Sequence, residues 1–429
     1  ADFLVWWAVR NPTETVLDPS FGGGVFLRSA CKRLRELGGN VGTQVFGVEL
    51  DDGVHSRIAE KLHDEFGVAR ANLVQSDFFE VSADRLPLTD VAVGNPPFIR
   101  YQRFTGEVRR RALTRAAEQG LKLSELSSSW LPFLIYSIRF LRPGGRLAMV
   151  IPFEIGHAAY ALPVLQHLNR VFHSVTFLTF QKKLFPDLSE DTLLILAEGK
   201  DPATRGQFYL RDLPHAGVLA DIQMAGRPPL AALRRLDRDR LASGEQRIIE
   251  YLLPRKAREL YRKLREQDDT VPLGALADVG IGYVTGANDF FHLDPQTAAE
   301  WGIPSRFLRA CVRRGRALAG LRFTRQDWHV ALAHRQAGYL LELPAEGDLP
   351  DSILRYLAHG QKLGVHRTFK CRTRTPWYRV PHVYHPDAFL TYMSGDLPKL
   401  VANDAGVVAP NTLHICLLYT SDAADEEDS

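Results

Sequence analysis

Thr15-Val16-Leu17-Asp18-Pro19-Ser20-Phe21-Gly22-Gly23-Gly24 is the stretch on which the fold turns. A short apolar run suited to a buried strand meets an acid, a proline and a glycine cluster. Glycines after a strand let the backbone turn sharply and approach a ligand closely. The residues after the turn have helical spacing: Phe26, Leu27, Ala30, Leu34 and Leu37 recur on one face, and Gly38-Gly39 is a stop signal. Val45–Glu49 reads as a second strand, residues 54–66 as a second helix, and residues 90–94 as a strand running into Asn95. Residues 130–141 read as a helix ended by Pro143-Gly144-Gly145, and 146–151 as a strand. Two further strands, 175–180 and 192–197, are close enough to pair antiparallel. This alternation predicts an α/β fold, a doubly wound and mostly parallel sheet with helices on both faces. Ligands of such sheets sit at the carboxyl ends of the strands.

The 429 residues are too many for one ordinary domain, and 45% hydrophobic with 24% charged residues is a globular composition. Alternation holds over residues 1–200. Residues 201–270 read as a connecting helical segment: Pro202, Pro214 and Pro228-Pro229 mark connections, and 245–267 reads as one charged helix. Residues 271–415 are richer in Gly, aromatics and Arg, as expected of a second, mixed α+β domain. The last fourteen residues, 416–429, hold five acids and no Lys or Arg, and are set apart as a non-native tail. The net charge of +3 therefore understates the basicity of the rest, which permits a polyanionic partner.

Cys31, Cys311, Cys371 and Cys416 are far apart and form no C-x-x-C pair, which argues against a zinc knuckle or a disulfide framework and leaves no metal site to assign. A reducing, cytoplasmic setting is expected. No apolar run reaches the eighteen residues of a membrane helix; the best, 130–141, is broken by Pro132 and Arg139. No signal peptide is expected. The chain starts at Ala1 with residues that already read as structure, so a fragment is expected.

Three strand ends carry acids. Asp18 precedes the glycine turn, Glu49 ends the second strand, and Asp77, followed by Phe78, ends a third strand segment. A carboxylate beside the glycines would repel a pyrophosphate but suits a cationic ligand with an amino-acid head, such as S-adenosyl-L-methionine. A carboxylate at the second strand end can accept from ribose hydroxyls. Asp77 can accept from an adenine amino group, and Phe78 can stack on its ring. Asn95-Pro96-Pro97-Phe98 is the sharpest signal. Two prolines fix the chain and remove two donors. The Asn95 side-chain oxygen and the Pro96 carbonyl then form a rigid acceptor pair that can hold an exocyclic amino group by both hydrogens. Phe98 offers a stacking face for a planar base.

In order and spacing these motifs resemble the amino-methylating DNA methyltransferases, specifically the gamma class of N6-adenine enzymes from restriction–modification and phage-defence systems. The resemblance covers residues 1 to about 415, strongly to 200 and diffusely beyond. It implies a Rossmann-like class I methyltransferase domain followed by a target-recognition domain. Residues 1–9 resemble the end of the family's first motif. By resemblance the cofactor-binding residues are Asp18, Pro19, Ser20, Gly22, Gly24, Glu49, Leu50, Asp77 and Phe78. Asn95, Pro96, Pro97 and Phe98 are the catalytic set, and Phe185, after Leu184, contacts the flipped base. The chain departs from the family in Phe98, where Tyr is commoner, and in Phe21 with three glycines.

Two runs without acids, 306–325 and 362–379, carry seven and six Arg or Lys residues, the second interleaved with Phe369, Trp377 and Tyr378. Phosphate contacts want Lys and Arg; base contacts want Arg forks and aromatics. Arg372, Arg374 and Trp377 are the candidates for DNA. Residues 282–291 resemble the start of the recognition domain. Arg103, Arg109, Arg110, Arg111 and Arg115 are expected in a loop over the DNA backbone. The expected partner is double-stranded DNA, bound by a monomer, with room for a restriction or defence subunit. N4-cytosine in DNA, an RNA base and a protein glutamine remain open as acceptors, because the same motif suits them.

Overall fold

The computed structural model describes residues 1–429 except 83, 101, 125–126, 187–189, 202–205, 226–232, 392–396 and 420–429. The chain divides into two compact units, Ala1–Lys263 and Leu264–Ser429.

In the first unit, α1 (Asp2–Ala8) precedes β1 (Val16–Asp18), α2 (Val25–Leu37), α3 (Val41–Gln44) and β2 (Val45–Glu49). Then come α4 (Asp52–Phe66), β3 (Leu73–Gln75), β4 (Thr89–Gly94), α5 (Gly106–Glu118) and α6 (Trp130–Arg139). β5 (Leu141–Pro152), α7 (Leu162–Val171), β6 (Phe172–Phe180), β7 (Thr192–Lys200), β8 (Gln207–Leu213) and β9 (Arg234–Arg235) follow, with short helices at Val218–Met224 and Arg238–Ser243. Among the described residues the strands form one nine-stranded sheet in the order β3-β2-β1-β4-β5-β7-β6-β8-β9. β1 to β5 pair parallel, β7 runs antiparallel to both β5 and β6, and β6 pairs parallel with β8. The order reverses between β1 and β4, which opens a crevice at their carboxyl ends.

Alternate side chains of each strand serve different cores. Leu147, Met149 and Ile151 of β5 join α6 and α7, while Ala148 and Val150 join α1, α2 and α4. Beneath them Glu14 and Arg146 form a buried ion pair, and Glu14 also accepts from the Arg10 and Asn11 amides.

Two expectations are corrected. Pro143-Gly144-Gly145 does not separate α6 from a strand: β5 starts at Leu141 and carries that tripeptide as an irregularity, where the register against β4 shifts. Residues 245–267 are not one helix. A 3₁₀ turn (Ile248–Leu252) and a helix (Arg255–Arg265) flank Pro254, which cannot donate to a continuous ladder. Of the prolines that mark connections, Pro202, Pro228 and Pro229 lie outside the described residues.

The second unit is α+β. A four-stranded antiparallel sheet contains β10 (Ala277–Ile281), β14 (Ala388–Thr391), β15 (Leu400–Ala402) and β16 (Leu413–Leu418). A three-stranded one contains β11 (His292–Leu293), β12 (Leu308–Val312) and β13 (Ala337–Leu341). Residues 416–418, set apart by the sequence, complete β16: Cys416 is buried and pairs in register with Val279 and Ala388. Residues 420–429 of that expected tail lie outside the described residues. No helix among the described residues is long and apolar enough to cross a membrane.

Breaking one side of a buried ion pair leaves a charge uncompensated. Glu14→Ala should therefore lower the unfolding free energy by about 3–5 kcal/mol, read from urea denaturation. A loss under about 1 kcal/mol would show that Arg146 finds water instead.

Candidate active site

The glycine turn is held by its own backbone. The Ser20 amide donates to Asp18 Oδ1 (3.1 Å), the Phe21 amide to the Val48 carbonyl (3.0 Å) and the Gly22 amide to Glu49 Oε2 (2.8 Å). Gly22 has φ 49° and Gly24, which caps α2, has φ 73°. A Cβ on Gly24 would also lie 2.6 Å from Ile58, so any side chain there meets both strain and a clash. The departure at Phe21 is accommodated by Gly47, whose missing Cβ would stand 2.7 Å from the Phe21 ring.

The three acids have different surroundings. Asp18 is 1% exposed, beneath the turn rather than on its surface. Burial pushes its carboxyl up to about 7; the Ser20 amide opposes the shift and the Glu49 charge adds to it. Glu49 accepts from two amides, Gly22 and Asp51 (2.9 Å), which tie the turn to the end of β2. Asp77 accepts from the Phe79 amide (3.0 Å) and from Arg111 Nη1 (2.8 Å); Arg111 also reaches Glu80 at 2.6 Å.

These ends meet in a cavity of about 340 Å³. Pro19, Ser20 and Gly22 line it from the turn, Glu49 and Leu50 from β2, Asp77 and Phe78 beyond β3, and Asn95 and Pro97 beyond β4. Asp18, Gly24 and Pro96 are not among its lining residues; Asp18 and Gly24 shape the turn, and Pro96 is buried. Phe78 is 2% exposed and stacks on Phe133 at 5.6 Å, so that ring already has an aromatic partner. The Ser20 hydroxyl is buried on this wall with no hydrogen-bond partner. An orphaned hydroxyl in a cavity also lined by two carboxylates, Glu49 and Asp77, and by phenylalanine rings suits a cationic, hydroxyl-bearing, aromatic ligand.

A second cavity of about 690 Å³ lies across the same loop, lined by Phe98, Ile99, Arg100, Gln102, Arg103 and Glu190. Ile99 lines both cavities. Arg100 and Glu190 pair at 2.7 Å at this second wall. Phe185 is 37% exposed and is not among the described residues lining either cavity.

The sequence missed eight lining residues: Val48, Ser76, Phe79 and Ile99 beside the expected ones, Phe104 and Val108 by α5, and Ser129 and Phe133 by α6. α5 was expected as an arginine loop over DNA. It is a helix whose arginines pair locally, Arg110 with Glu107 and Arg115 with Glu118, while Arg111 holds it to Asp77. Ala112 and Ala116, four apart and both buried, were the signal for its inward face.

Residues 2–158 match the family model of the N-6 DNA methylases. Residues 245–427 match that of the C-terminal domain of the type II methyltransferase M.Eco57I. Together these matches support an N6-adenine DNA methyltransferase of restriction–modification type with a C-terminal domain. It is 22% identical over 431 residues to the type II methyltransferase M.AccI of Acinetobacter calcoaceticus, covering 99% of this chain and 74% of that protein. Among solved structures it is similar to the type IIL restriction–modification enzyme MmeI in complex with DNA. The TM-score is 0.59 at 13% identity, over 96% of this chain and 57% of that one. It is also similar to a nuclease-deletion mutant of the type ISP enzyme LlaGI with a DNA substrate mimic. There the TM-score is 0.60 at 11% identity, over 98% of this chain and 49% of that one. The chain thus spans about half the length of both solved enzymes, and at these identities the shared feature is the fold.

The C-terminal domain gives two of the expected DNA contacts partners of their own. Arg374 is half-buried and donates to the carbonyls of Thr285 (2.8 Å) and Val284 (2.5 Å), so its fork ties down residues 282–291. Trp377, partly buried, packs against Phe290, Phe291 and His366 at the edge of the core. Arg372 is exposed and lies over the Phe369 ring at 5.3 Å. The run 306–325, free of acids in sequence, meets acids in space: Arg309 pairs with Glu342 and Arg322 with Asp404.

The Asp18 carboxyl titrates higher in the folded chain than its ordinary 3.8, so the native state holds the extra proton between 3.8 and about 7. Stability conferred by this group is full below the lower value and falls as pH rises through the upper one. In urea unfolding, Asp18→Asn should gain on the wild type from about pH 4 to about pH 7 and then level off. A constant difference would place the Asp18 titration elsewhere.

Arg372→Glu should weaken DNA binding and flatten its salt dependence, measured by fluorescence anisotropy across a salt series. Arg374→Ala should instead lower the melting midpoint. Equal loss of DNA affinity at equal stability in both variants would contradict this division.

Proposed function

We propose that the chain moves a methyl group from S-adenosyl-L-methionine to the exocyclic N6 of adenine in duplex DNA. The carrying observation is the Asn95–Phe98 loop standing between two cavities, one walled by strand-end acids and the other by Phe98 and arginines. S-adenosyl-L-methionine, when bound, supplies an electrophilic methyl on a sulfonium. Ser20 and the turn hold its amino-acid part, Glu49 the ribose, and Asp77 with Phe78 and Leu50 the adenine. Asp18 acts from below by fixing the Ser20 amide. A duplex hides the adenine amino group in its stack, so the target base flips into the second cavity, where Phe98 stacks on it. Phe185 approaches from the segment between β6 and β7.

The amino nitrogen of adenine is conjugated and a poor nucleophile. The Asn95 side-chain oxygen and the Pro96 carbonyl accept its two hydrogens and favour a tetrahedral nitrogen with a localised lone pair. The N–C bond forms as the S–C bond breaks, and the nitrogen then loses a proton to solvent. Both acceptors work by binding the transition state better than the ground state. The match to N-6 methylases favours adenine over the cytosine, RNA and glutamine acceptors. In this reading residues 1–200 carry transfer, 201–270 connect, and residues from 271 onward recognise the target. The setting is cytoplasmic, within restriction–modification, with the chain acting as a monomer and with room for a restriction or defence-system partner subunit.

A tritiated-methyl assay on unmethylated plasmid DNA, followed by nucleoside analysis, tests this. Label should appear in N6-methyladenine. Asn95→Ala should lower turnover on the order of 100-fold, roughly 3 kcal/mol of barrier, without weakening cofactor binding. Phe98→Ala should weaken the hold on the flipped base by about 1–3 kcal/mol, and Phe98→Tyr should be tolerated. Label in N4-methylcytosine, or undiminished turnover in Asn95→Ala, would overturn the proposal.

A further inference from the structure

Two consecutive prolines leave the catalytic loop short of ways to hold itself. Pro96 and Pro97 have no amide hydrogens, so the loop must be fixed through its carbonyls and through the amides that follow, among them that of Ile99. One side chain serves both. Ser129 Oγ accepts from the Ile99 amide at 2.9 Å and donates to the Pro97 carbonyl, and the Ser129 amide donates to the Ile99 carbonyl at 3.0 Å. Ser129 is 0% exposed and lines the first cavity beside Asn95 and Pro97.

Its place in the helix makes this more telling. Ser129 stands at the N-cap of α6, where a serine ordinarily accepts from an amide of its own first turn. Here φ is −60° and ψ −30°, and the side chain makes no cap hydrogen bond. The hydroxyl is diverted from its own helix to a loop thirty residues away.

We propose that Ser129 is a positioning residue for methyl transfer. By clamping both sides of Phe98 it sets the Pro96 carbonyl and the Asn95 side chain as a rigid acceptor pair. This rests on the function proposed above. Removing the hydroxyl leaves the Ile99 amide and the Pro97 carbonyl without this partner, and the acceptors lose their fixed aim. Loss of aim penalises the transition state, where geometry matters most, more than binding of either substrate.

The test uses the full chain and unmethylated plasmid DNA, with kcat and KM measured separately. S-adenosyl-L-homocysteine affinity comes from calorimetry and the melting midpoint from a thermal scan. Ser129→Ala should lower kcat ten- to a hundredfold, with KM for DNA and affinity for S-adenosyl-L-homocysteine within twofold of wild type. Ser129→Thr, which keeps the hydroxyl, should recover most of kcat. An unchanged kcat in Ser129→Ala overturns the inference. So does a fall in kcat matched by equal falls in S-adenosyl-L-homocysteine affinity and melting midpoint, because that marks a merely structural residue. If the wild type labels adenine while Ser129→Ala is unimpaired, only this inference fails. If the wild type leaves adenine unlabelled, the proposed acceptor fails and this inference with it.

Discussion

Parallel pairing of β1, β2, β3 and β4 puts the carboxyl ends of four strands on one edge of the sheet, and each feature of the site hangs from that edge. Asp18 ends β1, Glu49 ends β2, Asp77 comes after β3 and Asn95 after β4. If one of these strands ran the other way, its group would stand at the opposite edge, several residues of strand away. The reversal of order between β1 and β4 sends the chain to opposite faces and leaves the crevice open. The Gly22–Glu49 hydrogen bond then closes the first turn onto the second strand, so the glycines and the acid act as one wall.

Around that wall the chain divides its labour. Backbone amides shape the donor side, because Ser20, Gly22 and Asp51 donate to Asp18 and Glu49. Helices close it: α5 is drawn in by Arg111 on Asp77, and α6 brings Phe133 against Phe78. Prolines stiffen the acceptor loop but remove its donors, and a buried serine supplies what they lack. The loop is thus held from outside, which lets its two faces look into different cavities.

What the sequence made legible was local. The strand ends, the glycine turn and the Asn-Pro-Pro-aromatic motif carry their meaning in adjacent residues, and β1, α2, β2 and β4 can be read from period and punctuation alone. What stayed hidden depends on partners distant in sequence. Arg111 reads as a phosphate contact until Asp77 and Glu80 are beside it. Arg374 and Trp377 read as a DNA face until the 284–285 carbonyls and Phe290 surround them. Ser129 sits in a run of three serines that looks like an ordinary helix start, and only its long-range bonds distinguish it. The glycine-rich turn before Arg146 reads as a break because an irregularity inside a strand has the same local chemistry as a loop.

The central claim is that the cavity at the ends of β1 to β4 takes the methyl donor. A crystal structure of the chain with S-adenosyl-L-homocysteine tests it most directly. The account predicts density between Ser20 and Phe133, with the ribose on Glu49 and the adenine beside Asp77. Density in the arginine-walled cavity beyond Phe98, with the strand-end cavity filled only by water, would contradict it.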